Sequence, residues 1–161
     1  MGWIKEVFTN YILVSAMSGW MLAQIIKCFT GIFREREFTL ANFFFGNGGM
    51  PSSHSASVCG LTTACGICCG LNSPQFAIAA IFTMIVMTDA MGVRREVGKH
   101  AKTLNAIIKA YQDAHGEKEK IKEAHKELVG HTSLQVFMGA LVGITCAIAI
   151  RFIPVFMNYA P

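Results

Sequence analysis

The apolar positions of the chain gather into four long runs, at about 7–27, 52–71, 74–92 and 132–153. Each is close to the roughly 20 residues that an α-helix needs to cross a hydrocarbon core. The pattern predicts an all-α fold, an integral-membrane helical bundle with about four transmembrane helices. The second run differs from the others because Gly, Ser, Thr and Cys fill it. Small residues at that density suit close helix–helix contact inside a bundle. Between runs three and four lies a long polar stretch, 94–130. Within it Val97, Ala101, Leu104, Ile108 and Tyr111 recur at steps of four and three, the pattern of an amphipathic helix. His115-Gly116 interrupts the pattern, and "EKEKIKEAHKEL" resumes it as a second, highly charged helix. The expectation is a polar helical hairpin, solvated or lying over its own bundle, with a basic face that can also meet anionic headgroups. The whole chain, 1–161, reads as a single membrane domain carrying this insertion. Residues 35–50, "EREFTLANFFFGNGGM", are aromatic, glycine-rich and too short to span, as in an interfacial or re-entrant segment.

Composition agrees with a membrane class. The chain is 53% hydrophobic and 15% charged, with a mean hydropathy of +0.44, whereas a soluble domain carries about 25% charged residues. Lys5 is followed at once by Glu6, and no small-residue cleavage site ends a short apolar core. The first run is therefore expected to be a retained helix, not a cleaved signal peptide. Six cysteines are present. Cys65-x-x-Cys68 has metal-ligand spacing, but it sits in an apolar segment without a second pair, so packing residues and no structural disulfide are expected.

The distribution of charge says more than the net +4. Lys5 and Arg151 fall near the chain ends, and the link "GLNSPQ" between runs two and three carries no basic residue. All other Lys and Arg lie at the end of run one, in the loop to run two, or between runs three and four. With four crossings, those connections share one side of the membrane. The positive-inside rule makes that side cytoplasmic and puts both termini outside, in a cell inner membrane.

Three polar residues open the second run in "GGMPSSHSASVCG", residues 48–60. Pro51 suits the first position of a helix, and the N–H groups of Ser52, Ser53 and His54 would then point out of the helix start. Such an end attracts anions, phosphate above all. Lys27-x6-Arg34 precedes it at the same side, Arg94 and Arg95 end run three, and His131 opens run four in "GHTSLQVFMGALVG". Arg forks and a mobile Lys charge bind phosphate oxygens. With helix N-termini they stabilise a pentacoordinate phosphorus. One histidine can attack phosphorus while the other protonates the departing alkoxide.

Lys27-x6-Arg34, Pro51-Ser52-Ser53-His54 and His131 ahead of "VFMGALVG" resemble the three motifs of the type 2 phosphatidic acid phosphatase superfamily, which includes vanadium-dependent haloperoxidases. "GGMPSSHSA", "DAMGVRREVGKHAKTLN" and "GHTSLQV" resemble its divergent bacterial and plant branch in particular. The resemblance implies a helical bundle that hydrolyses phosphomonoesters or diphosphates, often on lipids, without a metal or other cofactor. Carried over, it gives phosphate binding to Lys27, Arg34, Ser52, the Ser53 N–H and Arg94 or Arg95. It makes His54 the general acid and His131 the nucleophile. The sequence departs from the pattern at Glu35, where the family has proline, and at Ser53, where it has glycine. The 94–130 insertion separates Arg94 and Arg95 from His131, and Gln135 stands where an aspartate orients the nucleophile. Asp89 is a supporting acid that can substitute or can hold Arg94 or Arg95. Arg94-x5-His100 offers the family spacing without an insertion, but Leu104 then occupies the aspartate position and His100 lies inside a polar helix. His131 is the preferred nucleophile, and His115 and His125 are expected at the surface. The expected activity is a lipid or polyprenyl phosphatase; a non-catalytic binder or carrier of phosphorylated lipid is the alternative. The expected partners are the bilayer and that phosphorylated substrate, with no nucleic acid and with a homo-oligomer left open.

Overall fold

A computed structural model describes residues 2–32, 49–115 and 132–157, excluding the side chains of 31, 32, 93–95 and 115. Among the described residues the chain forms six helices: α1 (Gly2–Thr9), α2 (Tyr11–Ile32), α3 (Ser53–Cys69), α4 (Pro74–Met91), α5 (Val93–His115) and α6 (Ser133–Arg151). The first apolar run is divided, because Asn10 caps α2. Its Oδ1 accepts the Leu13 N–H at 3.1 Å, and its carbonyl accepts the Val14 N–H at 2.9 Å. An Asn side chain at that point starts a new helix. α3 ends at Gly70, whose φ of +82° is a conformation that favours glycine. Ser73 then caps α4 by accepting the Phe76 N–H at 3.1 Å, with Pro74 inside the first turn.

Three helical stretches are long and apolar enough to cross a membrane: Tyr11–Thr30, Pro74–Ala114 (which runs from α4 into α5) and Ser133–Arg151. The second apolar run falls outside that set. Its helix, α3, has 17 residues and is built from small side chains. At 1.5 Å per residue it measures about 25 Å, slightly under a typical hydrocarbon thickness. The physical reason is its position. α3 packs against α2, α4 and α6, and Ser53, Ser55, Ala56, Gly60 and Ala64 are buried along it. A helix enclosed by others needs close backbone approach, not large lipid-facing side chains.

That approach is made by residues four apart on three helices. α2 presents Tyr11, Ser15, Gly19 and Ala23; α3 presents Ser52, Ala56, Gly60 and Ala64; α6 presents Gly139, Gly143 and Ala147. A Cβ added at Gly143 would overlap the Ala56 carbonyl, and one at Gly139 would overlap the Ser52 carbonyl. One at Gly19 would lie 2.9 Å from the Ala56 oxygen. The pairings also set direction. Gly139 meets Ser52 while Gly143 meets Ala56, so α3 and α6 run parallel. Gly19 meets Ala56 while Ser15 meets Gly60, so α2 runs antiparallel to α3.

Polar contacts hold the seams. Thr62 Oγ1 donates to the Ala79 carbonyl at 3.0 Å, Thr83 Oγ1 donates to Val58 at 3.0 Å, and the two hydroxyls are 2.7 Å apart. α4 is therefore antiparallel to α3 as well. Interhelical hydrogen bonds of this kind average about 0.6 kcal/mol in membranes, so they add to the packing without replacing it. Tyr11 Oη donates to the Ala147 carbonyl at 2.7 Å, at the bundle end where Tyr11, Ala64, Ile150 and Phe156 cluster. All six cysteines are free thiols. α5 packs against α4 alone among the described helices; the charged second helix of the expected hairpin lies outside the described residues.

Candidate functional site

The antiparallel arrangement gathers the C-terminal ends of α2 and α4 with the N-terminal ends of α3 and α6 at one end of the bundle. Lys27 sits in the last turns of α2, on the same four-residue register as Tyr11, Ser15, Gly19 and Ala23. The small residues that seat α2 on α3 therefore also place Lys27 beside the start of α3. Its Nζ donates to Ser53 Oγ at 3.0 Å. The lysine is half-buried, and among the described residues no carboxylate pairs with it. Gly49, in a left-handed conformation (φ +92°), lies against the Lys27 stem, and Thr30 Oγ1 donates to the Met50 carbonyl at 3.2 Å. These contacts tie the segment before α3 to the end of α2.

The helix start differs from the sequence expectation by two positions. Pro51 precedes the cap, Ser52 is the N-cap, and Ser53 is the first helical residue. Ser52 is fully buried, and its Oγ accepts the Ser55 N–H at 3.4 Å. Its N–H, expected to point outward, instead donates to the Gln135 carbonyl at 2.9 Å. A Ser at the N-cap takes this role because its oxygen satisfies an otherwise orphaned helical donor. The Ser53 N–H engages no acceptor among the described residues. His54 follows with an exposed imidazole in the same first turn.

α6 begins beside this point. Thr132 Oγ1 accepts the Gln135 N–H at 3.3 Å, and Gln135 Oε1 accepts the Thr132 N–H at 3.0 Å, a reciprocal capping box. The oxygen expected to orient an imidazole is thus held by the backbone of the helix start. Sequence reasoning missed this cap, although Thr132-Ser133-Leu134-Gln135 carries its signature. It also missed the Ser52–Gln135 backbone link, which no local pattern encodes.

The other expected residues take these places. Asp89 lies in the last turn of α4, partly covered. Arg94 and Arg95 belong to the first turn of α5, immediately after Gly92 closes α4 by donating to the Thr88 carbonyl at 2.8 Å. His100 is exposed on the second turn of α5, which among the described helices packs against α4 alone. Arg34 and His131 lie outside the described residues, as do Glu35 and His125. Lys27, Ser52, Ser53, His54 and Gln135 are brought to one end, and two helix N-termini, each equivalent to about half a positive charge, add to the lysine there. The arrangement can hold an anion.

Residues 8–146 match the family described as the Divergent PAP2 family. The chain belongs to that family. A relative from Bacillus subtilis (strain 168), the "Uncharacterized membrane protein YuiD", is 38% identical over 159 residues, covering 91% of this chain and 98% of its own length. No solved structure matches. Membership of the divergent PAP2 family relates the chain to membrane phosphatases.

Proposed function

We propose that the protein is a metal-independent membrane phosphatase, acting on a lipid or polyprenyl phosphomonoester or diphosphate through a phosphohistidine. It works as one membrane domain over 1–161, with its site toward the cytoplasm. The observation that carries this reading is Lys27: a half-buried ammonium without a carboxylate partner among the described residues, bonded to Ser53 Oγ at 3.0 Å beside two helix starts. A buried charge is costly unless something compensates it, and a phosphate group would do so. Arg34 and one of Arg94 and Arg95 complete the cradle.

His131 attacks phosphorus as the bond to the ester oxygen breaks, and His54 gives its proton to the departing alkoxide. His54 then takes a proton from water, which displaces phosphate from His131 and restores both imidazoles. The test is phosphate release from a short-chain lipid phosphate by purified protein. His131→Ala should abolish release while retaining substrate binding, and turnover should survive a chelator. Chelator-sensitive turnover restored by magnesium would overturn the mechanism.

A second reading is favoured by one contact. Gln135 Oε1 is held by the Thr132 N–H, and an amide carries no charge to offset an imidazolium. A binder or carrier of phosphorylated lipid would keep the anion site without turnover. Tight binding of the lipid phosphate with no release by the wild-type protein would select that reading.

A further inference from the structure

The strongest feature unused by the proposed chemistry is the outer face of α5. At 3.6 residues per turn, Val97, Leu104, Ile107 and Tyr111 fall on one face of this 23-residue helix, with Lys102 and Lys109 on the opposite one. The apolar face is open: Val97 is 53% exposed and Ile107 59% exposed. It is distinct from the flank of Gly98, Ala101, Asn105 and Ile108, which is more covered. α5 touches α4 alone among the described helices, and Val97, Leu104, Ile107 and Tyr111 all remain exposed.

Where α5 starts says what meets this face. It follows the apolar helix α4 after a single residue, Gly92, whose ψ of −89° departs from helical geometry and lets the chain change direction. Its first turn, which carries Arg94 and Arg95, therefore lies at the end of the bundle that holds Lys27 and Ser53. Its five basic residues outnumber Glu96 and Asp113, and one pair, Lys99–Glu96, is closed at 2.6 Å. Lysines at this spacing keep the helix out of the hydrocarbon core, while the open apolar face disfavours full hydration.

We propose that α5 lies in the membrane interface at the site's end of the bundle. Val97, Leu104, Ile107 and Tyr111 sink to the acyl boundary, and the lysine face makes the association stronger on anionic lipid. The helix is about 10 Å thick, comparable to a Debye length at physiological salt, so the outward lysines still sense headgroup charge. The apolar face provides most of the attachment and the charge tunes it.

The test uses the full chain in vesicles of phosphatidylcholine, with and without phosphatidylglycerol. Ile107→Trp and, separately, Lys102→Trp are placed in a Trp3→Phe/Trp20→Phe background and read with lipids brominated near the headgroup. Expected is strong quenching of the tryptophan at 107 and little at 102. Equal quenching at both positions, or free access of aqueous acrylamide to 107, overturns the proposal. So does shielding of 107 from both quenchers, which means that the bundle or a second copy covers the face. Hydrogen exchange on the unsubstituted protein guards against misfolded variants. Amides 97–111 should slow when phosphatidylglycerol is added, and Lys102→Glu/Lys109→Glu should remove roughly two- to fivefold of that slowing per lysine. Exchange indifferent to lipid charge overturns the role given to the lysines.

Discussion

At the scale of single residues, the site turns on how two side chains are held. Lys27 reaches Ser53 Oγ from the end of a packed helix, so its ammonium is positioned before any ligand arrives. Lys27→Met keeps the stem and removes the charge; phosphate release should fall about 10²–10³-fold, the scale for losing one preorganised donor to a transition state. Initial rates on a short-chain lipid phosphate measure it. Gln135 holds the start of α6 through Thr132. Gln135→Ala removes the acceptor of the Thr132 N–H but leaves Thr132 as the cap, so it should lower the thermal stability of the detergent-solubilised protein by about 0.5–1.5 kcal/mol, the net worth of one hydrogen bond. Gln135→Glu keeps an acceptor for Thr132 and adds a negative charge at a helix N-terminus, where it is favoured. It should preserve the melting temperature and raise turnover, read as kcat at saturating substrate. The pairing of Thr132 with Gln135 was legible in the sequence as a three-residue spacing. The bond from the Ser52 N–H to the Gln135 carbonyl was not, because it joins segments far apart along the chain.

At the scale of elements, the small-residue registers decide which helix meets which. α3 is short and poor in large side chains, yet it is the helix around which α2, α4 and α6 pack. Gly143→Ala would press a methyl group against the Ala56 carbonyl and 2.9 Å from the Gly60 nitrogen. Backbone cannot rotate away as a side chain can, so the helices must part, at a cost of about 1–3 kcal/mol. Thermal unfolding in detergent should show that loss, and phosphate release should fall with it, because α3 and α6 present their helix starts together. Small residues in the second apolar run announced close packing. Their partners could not be read, since a stripe of glycine and alanine fits many others equally well.

For the whole molecule, the alternation of α2, α3, α4 and α6 gives a topology that can be measured. If α3 crosses with the others, residues 70–73 face the side opposite to residues 49–52 and α5. Single-cysteine variants at Asn72 and Lys102, in a background cleared of native thiols, should react with an impermeant thiol reagent from opposite sides of sealed vesicles. Labelling of both from one side would remove α3 as a crossing. The site as a unit should also be blocked by vanadate, which copies a five-coordinate phosphorus; full turnover at millimolar vanadate would count against a shared phosphate cradle.

The sequence by itself determined the class of the molecule and the segments that hold the candidate site residues. Four apolar runs, the polar insertion and the clustered Lys, Ser and His positions depend on local composition and spacing, which need no knowledge of the fold. Tertiary structure alone decided the rest: that α3 sits inside, that Lys27 meets Ser53, and that the Ser52 N–H is bonded to Gln135. These depend on backbones approaching closely enough to exchange hydrogen bonds, and that approach is set by the complementarity of several helices at once. The open face of α5 belongs with them, because periodicity shows that a helix has an apolar side but not what that side will touch.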